Sequence, residues 1–182
     1  MAEKLIPFSM EITRRILAGN KTQLRRVVKN IPLKEPYFEI EDGEPFVCIK
    51  GEWFPASMFS PMQLGDTVWV QEPWARDAGR YLYRLDYDDD VDGVTWSPSV
   101  HMPHDAARIF LHVTSARMER LQDISIQDIK AEGVEASTAP LMICDFKFYW
   151  DSTIRRVEKY RYGWEANPWV YVVEFKRVKR AG

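Results

Sequence analysis

The sequence predicts an α+β fold, a small mixed β-barrel with two or three short flanking helices, and three observations predict it. Most apolar segments are short and alternate with polar residues. Only two stretches combine helical spacing with end signals. Strands and helices do not alternate regularly, as a doubly wound parallel sheet requires. With 182 residues the chain has the length of one domain, and residues 1–182 are read as a single domain.

The first element is a helix. Ser9 is a good N-cap, Glu11 puts an acid in the first turn, Ile12, Ile16 and Leu17 form an apolar face, and Gly19 offers a C-terminal cap. Strands are expected at Lys21 to Val28, Tyr37 to Ile40, Phe46 to Lys50 and Thr67 to Gln71, each bounded by Pro, Gly or Asp. Tyr81 to Leu85 reads as another. From about Asp86 to His104 the chain is polar, turn-rich and without strand or helix period, so it is read as an acidic inserted loop. Arg108 to Arg117 alternates Ile109, Leu111 and Val113 with His112 and Thr114, the pattern of a half-buried strand. Ser125 and Asp128 form an approximate capping box for a second short helix ending before Gly133, and Pro168 to Arg177 is the last long strand.

Hydrophobic residues make up 46% of the chain, with 7 Trp, 8 Tyr and 9 Phe, which excludes global disorder and allows a core without disulfides or metal. Cys48 and Cys144 show neither CxxC nor zinc-like spacing and read as free thiols of a reducing compartment. Charges interrupt the N-terminal stretch from Met1 to Arg15, so it lacks the apolar run of a secretory signal. The run from Trp169 to Val173 is far shorter than the ~20 residues that cross a bilayer. The expected setting is the cytoplasm, without a membrane.

A net charge of -2 conceals segregated patches. Ile12 to Lys34 holds Arg14, Arg15, Lys21, Arg25, Arg26, Lys29 and Lys34 with no acid, and Arg155 to Arg180 is also strongly basic. Asp86, Asp88, Asp89, Asp90 and Asp92 lie between them. If the two basic ends meet in the fold they offer an anion a positive face, and nucleic acid is the natural candidate.

Two segments concentrate chemistry. Gly19 to Arg26 leaves a helix and enters a strand with Lys21, Thr22, Arg25 and Arg26 close together, groups suited to phosphate oxygens. Gly65 to Trp74 launches an apolar strand that ends in Glu72, Pro73 and Trp74, where a scaffold can hold a carboxylate beside an open site. Near the C-terminus Tyr162 and Trp164 are interleaved with Arg155, Arg156, Lys159 and Arg161, as base-stacking surfaces are. Trp169 is read as core. His101 and His104 read as polar loop residues. The aspartate run only partly matches a calcium loop, with Ser99 where the bidentate glutamate belongs, so no metal and no cofactor is expected.

The order of a short helix, G-x-K-T-x-x-R-R, GDTVWVQEPW, MPHDAARIFLHVTSARMERLQDIS and YGWEANPWVYVVEFKRV resembles the ASCH (activating signal cointegrator homology) domain, in a form common in phages and prophages, from Lys4 to Val178. The resemblance implies a PUA-like fold and a cleft associated with RNA or modified nucleobases. One bacterial branch is similar to an amidohydrolase acting on N4-acetylcytidine through a lysine, a threonine and a glutamate. Lys21 and Glu72 match the first and last, whereas Leu24 stands at the threonine position and offers no nucleophilic hydroxyl. Another branch looks like metal-dependent ribonucleases. The expected function is a nucleic-acid-binding module whose basic cleft is lined by Lys21, Thr22, Arg25, Arg26, Trp74, Tyr162 and Trp164. The alternative is a hydrolase, amidohydrolase-like or ribonuclease, with Lys21 and Glu72 as its catalytic pair. The expected partner is RNA or a nucleoside, protein partners stay open, and a phage-encoded chain would work in the host cytoplasm.

Overall fold

The structure is a computed structural model that describes residues 3–29, 37–42, 44–88 and 91–179. Its main sheet has five strands, β1 (Glu3–Pro7), β2 (Gln23–Val27), β6 (Thr67–Gln71), β9 (Phe110–Arg120) and β10 (Trp169–Val178), in the order β1-β6-β9-β10-β2. β1 runs parallel to β6, and every other pairing in this sheet is antiparallel. A three-stranded sheet of β3 (Phe38–Glu41), β4 (Glu44–Ile49) and β5 (Glu52–Pro55) and a hairpin of β7 (Trp74–Asp77) and β8 (Arg80–Tyr83) complete the strands. The α+β class is as expected. Strand pairing among the described residues gives three separate sheets and no closed barrel, because β1 and β2 end the main sheet as edges.

Of the four α-helices described, two were expected. α1 (Met10–Leu17) starts at Ser9, whose side chain accepts from the Ile12 N–H, and ends at Ala18, with Gly19 at φ 80°. α2 (Ile126–Ala131) carries the full capping box of Ser125 and Asp128. The longest helix, α3 (Ala139–Thr153), was not expected. It begins with a proline in its first turn and buries Met142, Phe146 and Trp150 at a spacing of four, while Leu141, Ile143 and Phe148 stay exposed. Apolar residues on several faces hid its period. α4 (Lys159–Tyr162) is a single turn.

The core lies on both faces of the main sheet. β10 alternates: Val170 and Val172 pack with Leu121, Ile129, Phe146 and Trp150 from the helical side. Val173 packs with Ile6, Ile16, Leu24, Val70 and Ile109, and Tyr171 with Val47, Ala56 and Met118. The Asp86 to His104 insertion forms turns rather than regular elements and packs near β6 and β7: Ser97 bridges to Trp74, and Gln71 donates to the Met102 carbonyl at 3.3 Å. Its Asp89 and Asp90 lie outside the described residues. Among the described residues no helix is long and apolar enough to cross a membrane.

Candidate functional site

Among the described residues β2 has only β10 as a neighbour, so alternation sends its side chains to two different settings and its outer edge pairs with no described strand. Thr22 and Val28 make their backbone bonds to β10, accepting from Phe175 and donating to Trp169. In an antiparallel ladder this turns the backbone N–H and C=O of Gln23, Arg25 and Val27 away from β10, toward the open edge.

Beneath α2 lies a buried ionic network. Lys21 is 1% exposed; its Nζ donates to Glu132 Oε2 at 2.5 Å and to the Glu132 carbonyl at 3.1 Å. The approach depends on Gly133, φ 86°, where an added Cβ would sit 3.1 Å from Arg15 Cδ and 3.4 Å from Lys21 Cβ. The Thr22 N–H donates to the Ala131 carbonyl at 2.8 Å and ties the same turn to the end of α2. Arg25, 5% exposed, donates to Glu119 at 2.7 Å and reaches Asp128 and Glu132 at 3.4 Å. Burial would raise the Asp128 pKa, but hydrogen bonds from Gln23 and Ser125 and the charge of Arg25 hold it at about 2.

Along the open edge runs a cavity of about 550 Å³, within the size range of small-molecule sites. Phe8 and Ile12 line it on the α1 side, and Tyr149, Trp150 and Thr153 on the α3 side. Leu24, Arg25, Arg26 and Tyr171 contribute from the sheet, Lys29, Arg155 and Glu158 from the rim, and Glu132 from the network. Burial, with the Glu132 carboxylate nearby, pushes the Tyr149 phenol up to about 12. Tyr171 is buried, and among the described residues neither its hydroxyl nor the Arg25 Nε has a hydrogen-bond partner.

Arg26 differs from the other cations of this cavity. Arg25 is neutralised, and Lys29 and Arg155 bond Glu158 at 3.1 and 2.9 Å. The Arg26 side chain has no hydrogen-bond or ion-pair partner among the described residues. It is exposed, yet desolvation by the neighbouring protein lowers its guanidinium pKa from the ordinary value, with no carboxylate among the described residues to offset it.

The expected pairing of Lys21 with Glu72 is not formed. Glu72 is 0% exposed and takes both oxygens to Arg108, which donates from Nε at 2.8 Å and from Nη2 at 2.9 Å. Arg108 also binds Asp86 and lies 3.9 Å from the Tyr83 ring centroid. Burial would lower the Arg108 pKa, but its hydrogen bonds to Glu72 and Asp86 outweigh this and raise it. Asp86, at the start of the acidic inserted loop, is held in this second cluster. Thr22 is exposed and does not line the cavity. Trp74 belongs to the β7 hairpin, with Tyr81 at 5.8 Å between ring centroids, because the chain turns away from β6 after Glu72. Tyr162 lies beside the rim, its ring 4.5 Å from Lys29 Nζ, and Trp164 packs on Phe146 at 6.0 Å as part of the helical core. Trp169, read as core, is half-buried between Phe38 and Arg120.

Sequence reasoning missed Glu132, Tyr149 and Trp150. The aromatic pair sits on the unexpected helix and gave no separate signal. Glu132 did: an acid at the C-terminal end of a helix opposes the helix dipole, a local misfit that calls for a cationic partner.

No family model matches the sequence, and no curated protein is significantly similar to it. Its fold is like that of a solved structure. The ASCH domain of Lactobacillus crispatus is 11% identical, with 98% of this chain and 81% of that chain covered and a TM-score of 0.50. A protein of Enterococcus faecalis from the DUF984 family is 9% identical, with 98% and 82% covered and a TM-score of 0.49. At 11% identity it is the path of the backbone that is shared. That path gives this chain the fold of an ASCH domain.

Proposed function

We propose that the chain is a nucleic-acid-binding module whose cavity along β2 receives a nucleobase with an adjoining phosphate, from RNA or a nucleotide. The observation that carries this reading is Arg26, a cation without a carboxylate on the wall of a cavity that also presents the rings of Phe8, Tyr149 and Trp150. Aromatic walls suit the flat faces of bases and an unpaired guanidinium suits a phosphate. The open backbone groups of Arg25 add a donor and an acceptor of the kind that reads a base edge. Arg26 replaces Lys21, Thr22 and Trp74 as the leading contact, Arg25 contributes through its backbone, and Tyr162 stands beside the rim.

The test is titration of labelled single-stranded RNA at low and moderate salt with the native chain and Arg26→Gln. Affinity falls steeply with salt in the native chain, and the variant binds about tenfold more weakly with a shallower salt dependence. Absence of binding at both salts, or an unaltered variant, overturns the reading.

The hydrolase alternative has one observation in its favour: Lys21 and Glu132 form a buried pair, and Glu132 and Leu24 both border the cavity. The carboxylate beside Lys21 is then Glu132 rather than Glu72. Leu24 supplies no nucleophile, so the attacking group would be water, with Glu132 as its proton acceptor. Release of acetate from N4-acetylcytidine, lost in Glu132→Gln and kept in Glu72→Gln, supports this reading; no release from the native chain removes it.

A further inference from the structure

The rim of the cavity carries more positive charge than the cavity itself uses. Just after α3 the chain makes two successive turns, Arg156–Glu158 and α4, and the stretch from Arg155 to Arg161 has four basic residues against one acid. Arg155 and Glu158 face the cavity and pair with each other, and hydrogen bonds from Arg155 and Lys29 hold the Glu158 pKa at about 2. Arg156, Lys159 and Tyr160 stand close together along the same two turns, and none of them lines the cavity. Arg156 and Lys159 are exposed and have no ionic partner among the described residues, and Tyr160 is 83% exposed. A tyrosine so exposed adds nothing to the core. Flanked by two unpaired cations, it fits a base over the ring with phosphates at the charges.

We infer that Arg156, Lys159 and Tyr160 form a strand-binding ledge outside the cavity, so that the ligand is single-stranded RNA with one nucleotide in the cavity and its neighbour on the ledge. This rests on the proposed nucleotide reading of the cavity. It makes the ledge, not the cavity, the part that separates a polymer from a free nucleotide.

The test measures binding of an eight-nucleotide single-stranded RNA of mixed sequence, the same RNA as a duplex, and the four ribonucleoside 5′-monophosphates. The proteins are the native chain and the combined variant Arg156→Gln, Lys159→Gln, Tyr160→Ala, whose changes are all at exposed positions; an unchanged melting transition confirms its fold. The single strand binds the native chain about tenfold more tightly than any monophosphate. The variant loses that advantage and shows a salt dependence shallower by about 1.4 in log–log slope, while its monophosphate affinity stays the same. An oligomer no tighter than a monophosphate, a duplex that binds as well as the single strand, or a variant equal to the native chain overturns the ledge. Displacement of the oligomer by an octaglutamate peptide, but not by the monophosphates, also overturns it and assigns the patch to an acidic protein partner. If neither oligomer nor monophosphate binds, the cavity reading falls as well; if monophosphates bind without an oligomer advantage, only the ledge falls.

Discussion

Arg25 and Arg26 are neighbours on β2, and the sheet sends them to opposite settings: Arg25 under α2 among Glu119, Asp128 and Glu132, and Arg26 toward the cavity with no carboxylate partner among the described residues. Their side chains carry the same charge and differ by one step of strand alternation. A buried arginine already surrounded by acids has little attraction left for a ligand, and removing it strands the acids. An unpaired arginine at a cavity wall holds nothing in place and retains its full attraction for an anion. A count of basic residues therefore overstates the charge a ligand meets; what matters is which cations the fold leaves unpaired.

The contrast breaks most visibly at Arg25. Arg25→Ala leaves three carboxylates around a vacated site, and we expect a loss of about 3–5 kcal/mol in urea or guanidinium denaturation, or failure to fold. Arg26→Ala, measured in the same way, stays within about 0.5 kcal/mol of the native chain. Equal losses would show that the two settings do not differ as described. In binding the order reverses, and the roughly tenfold loss expected for Arg26→Gln is the sharper measure of the cavity.

Acid titration sharpens the network side. The pKa of Asp128 drops from an ordinary 3.8 to about 2 in the fold, so the stability it contributes is present above the ordinary value and is lost as pH falls through about 2. Denaturation midpoints followed downward from pH ~5 decline across that window, and Asp128→Asn makes the decline shallower. A variant with the same acid profile as the native chain would remove Asp128 from the network. A smaller loss than at Arg25 is expected at the second cluster. Glu72→Gln weakens a buried bidentate contact with Arg108 and costs about 1–3 kcal/mol of stability, with nucleotide affinity unchanged. A binding defect in that variant would restore Glu72 to the site.

Particular elements show how far local signals reach. Ser9 and Gly19 bracket α1 as their side-chain chemistry requires, Ser125 and Asp128 start α2, and Thr67 to Gln71 is a strand residue for residue. β1, β5 and β7 give no clear signal because, unlike the equally short TVWVQ of β6, their sequences EKLIP, EWFP and WARD are neither rich in β-branched residues nor regularly alternating. α3 went unread for the opposite reason, its apolar residues being so many that no face stood out. At the site, the sequence marked Lys21 as a special cation but not its partner, since Glu132 lies 111 residues away and is brought in by the close packing at Gly133.

By itself, then, the sequence determined helix ends, strand alternation and the concentration of basic residues between Ile12 and Lys34, because caps, period and composition act over a few residues. Only the tertiary structure decided which carboxylate each cation meets. Coulomb attraction strengthens steeply as distance and dielectric fall, and both depend on chain segments more than a hundred residues apart packing around one edge of a sheet.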